Sequence, residues 1–295
     1  MDNHIAEKIL SLASSLKADA AEVFLRAYTS TSIEVKDQKV DAFDRARDSG
    51  AGLRVLVGSR MGFAFTTDLS DGALRTLAQS AVTNAWNVEP DPFQSIPDKS
   101  ALPCQSVTIY DPELVALTEK EKIGRVMAME REAFAVDPRI KRIRKASAGF
   151  SDAETLILNT KGAEVSYKST ACSSSIEVVA EDNGESQAGS EFDVNRFYRK
   201  LLIEEVGRKA AQRALDLLGA KHVESVKAPV ILEAPVAQEF LSLMASGFSA
   251  ESVQKKRSLF IGKLDKEVAS SLISVLDDGL LEGGIGTAPS DDETV

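Results

Sequence analysis

Apolar positions near the start of the chain follow a helical period. Ile5, Ile9, Leu12 and Leu16 fall on one face, and Asp2 or Asn3 stands where a helix takes its cap. The period then changes. Residues 20–28, 31–36 and 39–46 read as short strands separated by turn residues, and in the second of them Ile33 and Val35 alternate with Ser32, Glu34 and Lys36. Such alternation marks an antiparallel strand with one buried face. Residues 53–57 and 61–66 flank Gly58-Ser59-Arg60, a hairpin signal, and Leu74, Leu77, Ala78 and Ala81 predict a helix from near Ser70. Helix, strands, helix in that order predicts an α+β domain, an antiparallel sheet with helices packed on it.

Residues 87–117 break the pattern: they hold five of the nine prolines, Pro90, Pro92, Pro97, Pro103 and Pro112, and read as an extended connection. Thr118-Glu119-Lys120-Glu121 has capping-box spacing and opens a helix carrying Ile123, Val126, Met127 and Phe134, which ends before Pro138. Strands are predicted at Ile140, Leu156 and Val165, the last two joined by a turn at Asn159-Thr160-Lys161-Gly162, and a Ser/Thr-rich strand over 169–179. A polar loop is expected over 182–190, then a long helix capped by Asp193, running to Leu218 and stopped by Gly219. Residues 220–227 look like a domain boundary. Beyond it the pattern predicts a strand over 229–233, a helix from Pro235 with Val236, Phe240, Leu243 and Met244 inward, and a strand over 268–276. No internal repeat is visible. The chain divides into a first domain over 1–222 and a second over 226–295.

Composition narrows the function classes. The 295 residues are 43% apolar and 27% charged, enough for sizeable cores and for two domains. Thirty-five Lys and Arg against 45 Asp and Glu give a net charge of −10, which repels phosphate backbones and excludes direct nucleic-acid binding without a strong basic face. No stretch approaches the about 18 apolar residues of a membrane span. Two cysteines, Cys104 and Cys172, form no disulfide framework and point to a reducing cytoplasm.

Candidate chemistry is sparse. His4 and His222 are the only histidines, so a zinc site, which needs about three N, O or S ligands, finds no recognisable spacing. There is no Gly-x-Ser-x-Gly elbow, and Cys172 on a predicted strand reads as a buried inert thiol. Gly50-Ala51-Gly52 precedes a strand instead of opening a helix, and Gly283-Gly284-Ile285-Gly286 reads as a tight loop. Asp277-Asp278 and Asp291-Asp292-Glu293 read as solvated loop carboxylates. Arg139, Lys141, Arg142, Arg144 and Lys145 place five cations within seven residues, with no aromatic side chain between them to stack on bases. That run is read as a solvated strand face or a surface for an acidic partner.

Residues 20–28 and 50–65, Arg257-Ser258-Leu259-Phe260, Asp277-Asp278-Gly279, Gly283-Gly284-Ile285-Gly286 and Asp291-Asp292-Glu293 together resemble the TldD/PmbA family, also called modulators of DNA gyrase, on its PmbA (TldE) side. The resemblance implies a cytoplasmic heteromeric metallopeptidase acting on unfolded or flexible peptides, with a mostly antiparallel β C-terminal domain. It implies further that 226–295 is only the start of that domain, because the family pattern continues past its Asp-Asp-Glu. In the TldD-type subunit a helix carries His-Glu-x-x-x-His, binding zinc, with the Glu activating water. Matched without gaps, that hexad falls on Ser242-Leu243-Met244-Ala245-Ser246-Gly247, with Ser242 and Gly247 in place of the ligands and Leu243 in place of the base. No histidine follows His222. The resemblance therefore implies a subunit with no catalytic residue, metal ligand or cofactor of its own, whose zinc resides in a TldD-type homologous partner and which degrades peptides only in that partner's company. The family's other name suggests an alternative, a regulator of gyrase or of a toxin–antitoxin pair acting through protein contact at Arg139–Lys145.

Overall fold

A computed structural model describes residues 3–98 and 106–291. Two compact units are present, Met1–Ala220 with Asp278–Val295, and Lys221–Asp277. The first is built on one six-stranded antiparallel sheet in the order β3-β2-β1-β4-β5-β6. Its strands are β1 (Ala20–Lys36), β2 (Lys39–Val57), β3 (Arg60–Thr66), β4 (Ile140–Asn159), β5 (Glu164–Asp182) and β6 (Glu185–Asn195). Helices α1 (Asn3–Ser15) and α2 (Asp71–Trp86) precede and follow the first three strands. The short α3 (Pro112–Ala116) and then α4 (Glu119–Ala135) lead into the last three, and α5 (Ile203–Asp216) follows them. The α+β architecture expected from the chain pattern is thus observed.

Several predicted elements are longer than their sequence signals. The runs 20–28 and 31–36 merge into one strand of 17 residues, and 39–46 and 53–57 into one of 19. The polar residues between them alternate between both faces and belong to neither core, yet the backbone ladder between β1 and β2 runs through them, so they do not interrupt pairing. Three hairpins close on two-residue turns with both φ angles positive: Asp37-Gln38 (52° and 57°), Gly58-Ser59 (55° and 62°) and Asn183-Gly184 (49° and 83°). That backbone twist matches the twist of the flanking strands.

One prediction fails outright. Residues 182–190 are not a loop, and no helix begins at Asp193; 185–195 form the edge strand β6, and α5 starts ten residues later at Ile203. Asp193 still serves a helix start from a distance, since its carboxylate accepts the backbone N–H of Leu202, the residue before α5, at 2.9 Å. At Thr118 the prediction holds: its hydroxyl accepts from Glu121 N while Glu121 returns the bond to Thr118 N.

The unit is internally duplicated, which the sequence did not betray. A helix, three antiparallel strands and a closing helix occur twice, and the two copies meet where β1 pairs antiparallel with β4. The third strand of each copy carries a glycine pressed on its closing helix. A Cβ on Gly62 would lie 2.0 Å from Ala81 O and 2.6 Å from Ala85 N; one on Gly189 would lie 2.4 Å from both Ala210 O and Ala214 N. Only a bare backbone lets strand and helix come so close.

Two cores lie under the helices. Val23, Leu25, Leu53, Val55 and Leu156 pack with Ile9, Leu74, Leu77 and Ala81; Ile33, Val35, Ala148, Phe150 and Ile176 pack with Val126, Met129, Ile203 and Ala210. Glu130 is fully buried beside the second core, accepting from Asp37 N (2.9 Å), Gln38 N (2.6 Å) and Gln38 Nε2 (2.7 Å), and so ties the β1–β2 turn to α4.

Among its described residues the second unit contains α6 (Ala234–Phe248), α7 (Ala250–Gln254) and no strand. The strands expected over 229–233 and 268–276, and with them the β-rich character expected of 226–295, are not seen. Neither apolar run has a neighbouring strand to exchange hydrogen bonds with, and an unpaired strand does not persist. Ile231, Leu259 and Leu272 are more than nine-tenths exposed.

Candidate functional site

The hexad matched to the zinc motif lies in α6, where Pro235 sits in the first turn. Ser242, Leu243, Met244, Ala245 and Ser246 are exposed and Gly247 is half-buried. Ser246 Oγ donates to Leu243 O at 3.1 Å, and Gly247 O accepts from Ser258 Oγ at 2.6 Å, so the polar atoms here serve the helix and its own unit. Hydroxyls, aliphatic carbons and a thioether supply no nitrogen or carboxylate ligand, and this stretch does not fit a zinc ion. Among the described residues no three His, Cys, Asp or Glu side chains converge. His222 is exposed, its Nδ1 3.0 Å from Val223 O. Asp278 spends a carboxylate oxygen on Leu280 N at 3.0 Å; Cys104, Asp292 and Glu293 lie outside the described residues.

The five cations run from just before β4 into its first six residues. Arg139 pairs with Asp137 at 3.0 Å and with Asp182 at 3.7 Å, Arg142 with Glu181 at 3.0 Å, Arg144 with Glu177 at 2.7 Å and Lys145 with Glu34 at 2.5 Å. Lys141 alone makes no ion pair among the described residues. The bidentate Arg139 grip lowers Asp137 to about 2. A run that looks strongly basic along the chain is largely neutralised by carboxylates on β1, β5 and the preceding turn.

Cys172 is buried on β5, its thiol donating to Asn195 O at 3.4 Å; burial, with Asp111 and Asp193 nearby, pushes it up to about 12. A thiol so hard to ionise is no nucleophile. Gly283–Gly286 forms a tight loop in which Gly284 N donates to Leu281 O at 2.9 Å and Thr287 N to Gly284 O at 3.1 Å. Arg196 holds it. Its guanidinium donates to the carbonyls of Gly284 (3.2 Å), Ile285 and Thr287 (3.1 Å), and to Thr170 O on β5 at 3.2 Å. Sequence reasoning passed over Arg196 because a lone arginine carries no pattern.

The sheet face away from the helices also has room for a ligand. Glu22, Phe24, Gly52, Arg54 and Phe63 line a groove of about 320 Å³ there. In register, Phe63 stands opposite Arg54, Arg54 opposite Glu22, and Glu22 opposite Asn159. Arg54 and the buried Glu22 form an ion pair of 2.5 Å, and Asn159 Nδ2 donates to the other Glu22 oxygen at 3.3 Å. Phe65 on β3 and Phe192 on β6 are 75% and 56% exposed, each an odd number of residues past its repeat's pressed glycine and so on this same open face. Both outermost strands leave one row of backbone groups unpaired in the sheet.

Comparison with known proteins gives these features a context. The fold superposes on a candidate DNA gyrase modulator from Thermotoga maritima with a TM-score of 0.90 at 22% identity, covering 99% of this chain and 66% of that one. TldE from Thermococcus kodakarensis gives 0.82 at 18% identity, with coverage of 99% and 65%. By sequence, the metalloprotease PmbA of Escherichia coli O157:H7 is 28% identical over 289 residues, which is 97% of this chain and 64% of that protein. A TldD homologue of Haemophilus influenzae is 27% identical over 304 residues, 97% of this chain and 61% of its own. The chain thus spans a little under two thirds of the length of these curated relatives. No described helix is long and apolar enough to cross a membrane. The PmbA/TldA metallopeptidase models for domain 1, the central domain and the C-terminal domain match residues 21–85, 112–218 and 225–295, the first two falling on the two copies of the duplicated fold. With all three domains matched in order, the chain belongs to the PmbA/TldD metallopeptidase family.

Proposed function

We propose that this chain is the metal-less, PmbA/TldE-type member of a cytoplasmic peptidase complex, working beside a TldD-type homologous subunit that holds the zinc. One observation carries the reading: in a metallopeptidase family, the helix matched to the zinc motif offers Ser242, Leu243 and Gly247, and no histidine follows His222. This chain's share of the work is recognition. An unfolded or flexible peptide adds to a sheet edge through main-chain hydrogen bonds, which select for extended conformation and not for sequence. The exposed Phe63, Phe65 and Phe192 supply apolar contact beside those edges.

The other reading makes Arg139–Lys145 the grip of a gyrase or antitoxin regulator on an acidic partner. It is the weaker one, because four of those five cations already face carboxylates of this chain and their field is largely cancelled.

The test is reconstitution. Purified chain, a purified TldD-type homologue and their mixture are each given a fluorogenic unstructured peptide. Cleavage is expected to rise in the mixture above the homologue alone, to vanish on chelation, and to be absent from this chain by itself. Cleavage by this chain alone, proportional to bound zinc, would refute the proposal.

A further inference from the structure

The open face of the sheet carries a cation that no described carboxylate matches. Arg26 is exposed on β1, between Gly50 of β2 and Thr155 of β4. Residues two apart along a strand share a face and lie about 7 Å apart, so Arg26 follows directly on Phe24 and the groove. Its guanidinium lies 5.6 Å from the centre of the Tyr28 ring, and among the described residues it makes no ion pair. Asp48, opposite Tyr28 in the register, makes none with it. The contrast with Arg54, Arg125, Arg139, Arg142 and Arg144, each held by a carboxylate, is clear. A second arginine reinforces the local charge: burial lowers the pKa of Arg196, and the Arg26 cation pushes it in the same direction. In a chain of net charge −10, an open positive position beside an apolar groove is complementary to an anion carried on an apolar group.

The groove limits what that group is. Its floor is Gly52, on which the Phe63 ring rests: a Cβ there would stand 3.3 Å from that ring and 3.9 Å from Phe24 Cβ, so a side chain at this position would displace the ring and reshape the groove. The far end is closed by the Glu22–Arg54 pair, whose charges satisfy each other. The groove of about 320 Å³ beside Phe24 and Phe63 suits one apolar side chain, whose own backbone would then lie toward Arg26, the next position on the same face.

We propose that this face binds the C-terminal end of a peptide, the terminal carboxylate on Arg26 and the side chain of the last residue in the groove between Phe24 and Phe63. The proposal deepens the peptide-recognition reading above and rests on it for the class of ligand. A guanidinium meets a carboxylate with two parallel hydrogen bonds, so the free acid is separated from its amide at this position.

The probes are N-terminally fluorescein-labelled hexapeptides of one unstructured sequence, titrated with the purified full chain and followed by anisotropy. One ends in Phe as the free acid, one is its amide, one ends in Gly as the free acid, and one is an amide with Glu before Phe. The Phe acid is expected to bind about tenfold more tightly than its amide and more tightly than the Gly acid. Arg26→Gln is expected to make acid and amide equal, with Arg26→Lys restoring part of the difference. Gly52→Val is expected to erase the preference for Phe over Gly while keeping that for acid over amide. Circular dichroism confirms that each variant is folded. Absence of binding, equal binding of acid and amide, or Arg26→Gln leaving their ratio unchanged would each overturn the proposal. So would binding of the Glu-containing amide as tight as the free acid, because the carboxylate recognised would then not be the chain end. Acid-over-amide selectivity without cleavage in the reconstituted mixture would leave this site standing and remove the peptidase reading; cleavage without selectivity would do the reverse.

Discussion

Gly62→Ala tests the close approach on which the repeated fold depends. The added methyl would stand 2.0 Å from Ala81 O, whereas ordinary contact begins near 3.4 Å, so α2 has to retreat by the difference, about 1.4 Å. The buried residues Leu74, Leu77, Ala78, Ala81 and Ala85 retreat with it. A gap of 0.5–1 Å already forfeits roughly a quarter to a half of a dispersion contact, and overpacking of this kind costs about 1–3 kcal/mol or more. We expect about 3 kcal/mol for Gly62→Ala. Gly189→Ala, where 2.4 Å leaves about 1.0 Å to recover against α5, should cost about 2 kcal/mol. At roughly 2–4 °C per kcal/mol, Gly62→Ala should lower Tm by about 6–12 °C. Adding Ala85→Gly should not rescue it, since the nearest obstacle is the backbone oxygen of Ala81 and not a side chain. Gly124→Ala is the internal control: in α4, with nothing within 4 Å of the new Cβ, it should gain about 0.5–1 kcal/mol. Urea and thermal melts followed by circular dichroism read all four. If Gly62→Ala melts with the wild type, or above it as the control does, the close-approach reasoning is wrong.

Other consequences are open to direct measurement. Glu130→Gln replaces a carboxylate accepting three N–H groups with an amide that points its own N–H₂ at one of them, and should cost about 2–3 kcal/mol in the same melts. Asp137, lowered from 3.8 to about 2 chiefly by the hydrogen bonds from Arg139, contributes fully above pH 3.8 and loses that contribution as pH falls through about 2. A carbon-13 NMR titration should place its midpoint near 2, and Arg139→Gln, which keeps the backbone N–H bond at 2.8 Å, should raise it part of the way toward the ordinary carboxylate range; an unchanged midpoint would show that the ion pair does not form. In a Cys104→Ser background, the buried Cys172 should ignore a thiol reagent at pH 8 until denaturant is added, when one equivalent should react.

The first unit was legible wherever local chemistry and tertiary need agreed. Ile5, Ile9 and Leu12 of the helical stripe, the Thr118–Glu121 capping box and the Gly58-Ser59 turn read directly, whereas Leu16 lies past the end of α1 and is exposed. Strand β6 did not, because an edge strand with Glu185, Gln187 and Ser190 along it has the composition of a loop and is made a strand only by β5 beside it. The duplication was hidden for a related reason. What the copies share is a glycine facing two alanines a helical turn apart, Gly62 with Ala81 and Ala85, Gly189 with Ala210 and Ala214, and small residues at such separations occur by chance throughout a chain. For the candidate site, the sequence shows plainly only that no histidine stands around Ser242. The groove was not legible, since Glu22, Gly52 and Phe63 become neighbours only through β1–β2–β3 register.

The length of β1 and β4 has its own consequence. Val23 and Leu25 of β1 belong to one core and Ile33 and Val35 to the other; β4 likewise sends Leu156 to the first and Ala148 and Phe150 to the second. Each repeat therefore lends a beam to its twin's interior, as two clasped hands share fingers. Cut apart between the repeats, neither half keeps a complete apolar lining, so the duplicated modules are expected to melt as a single cooperative body and not to survive as separable fragments.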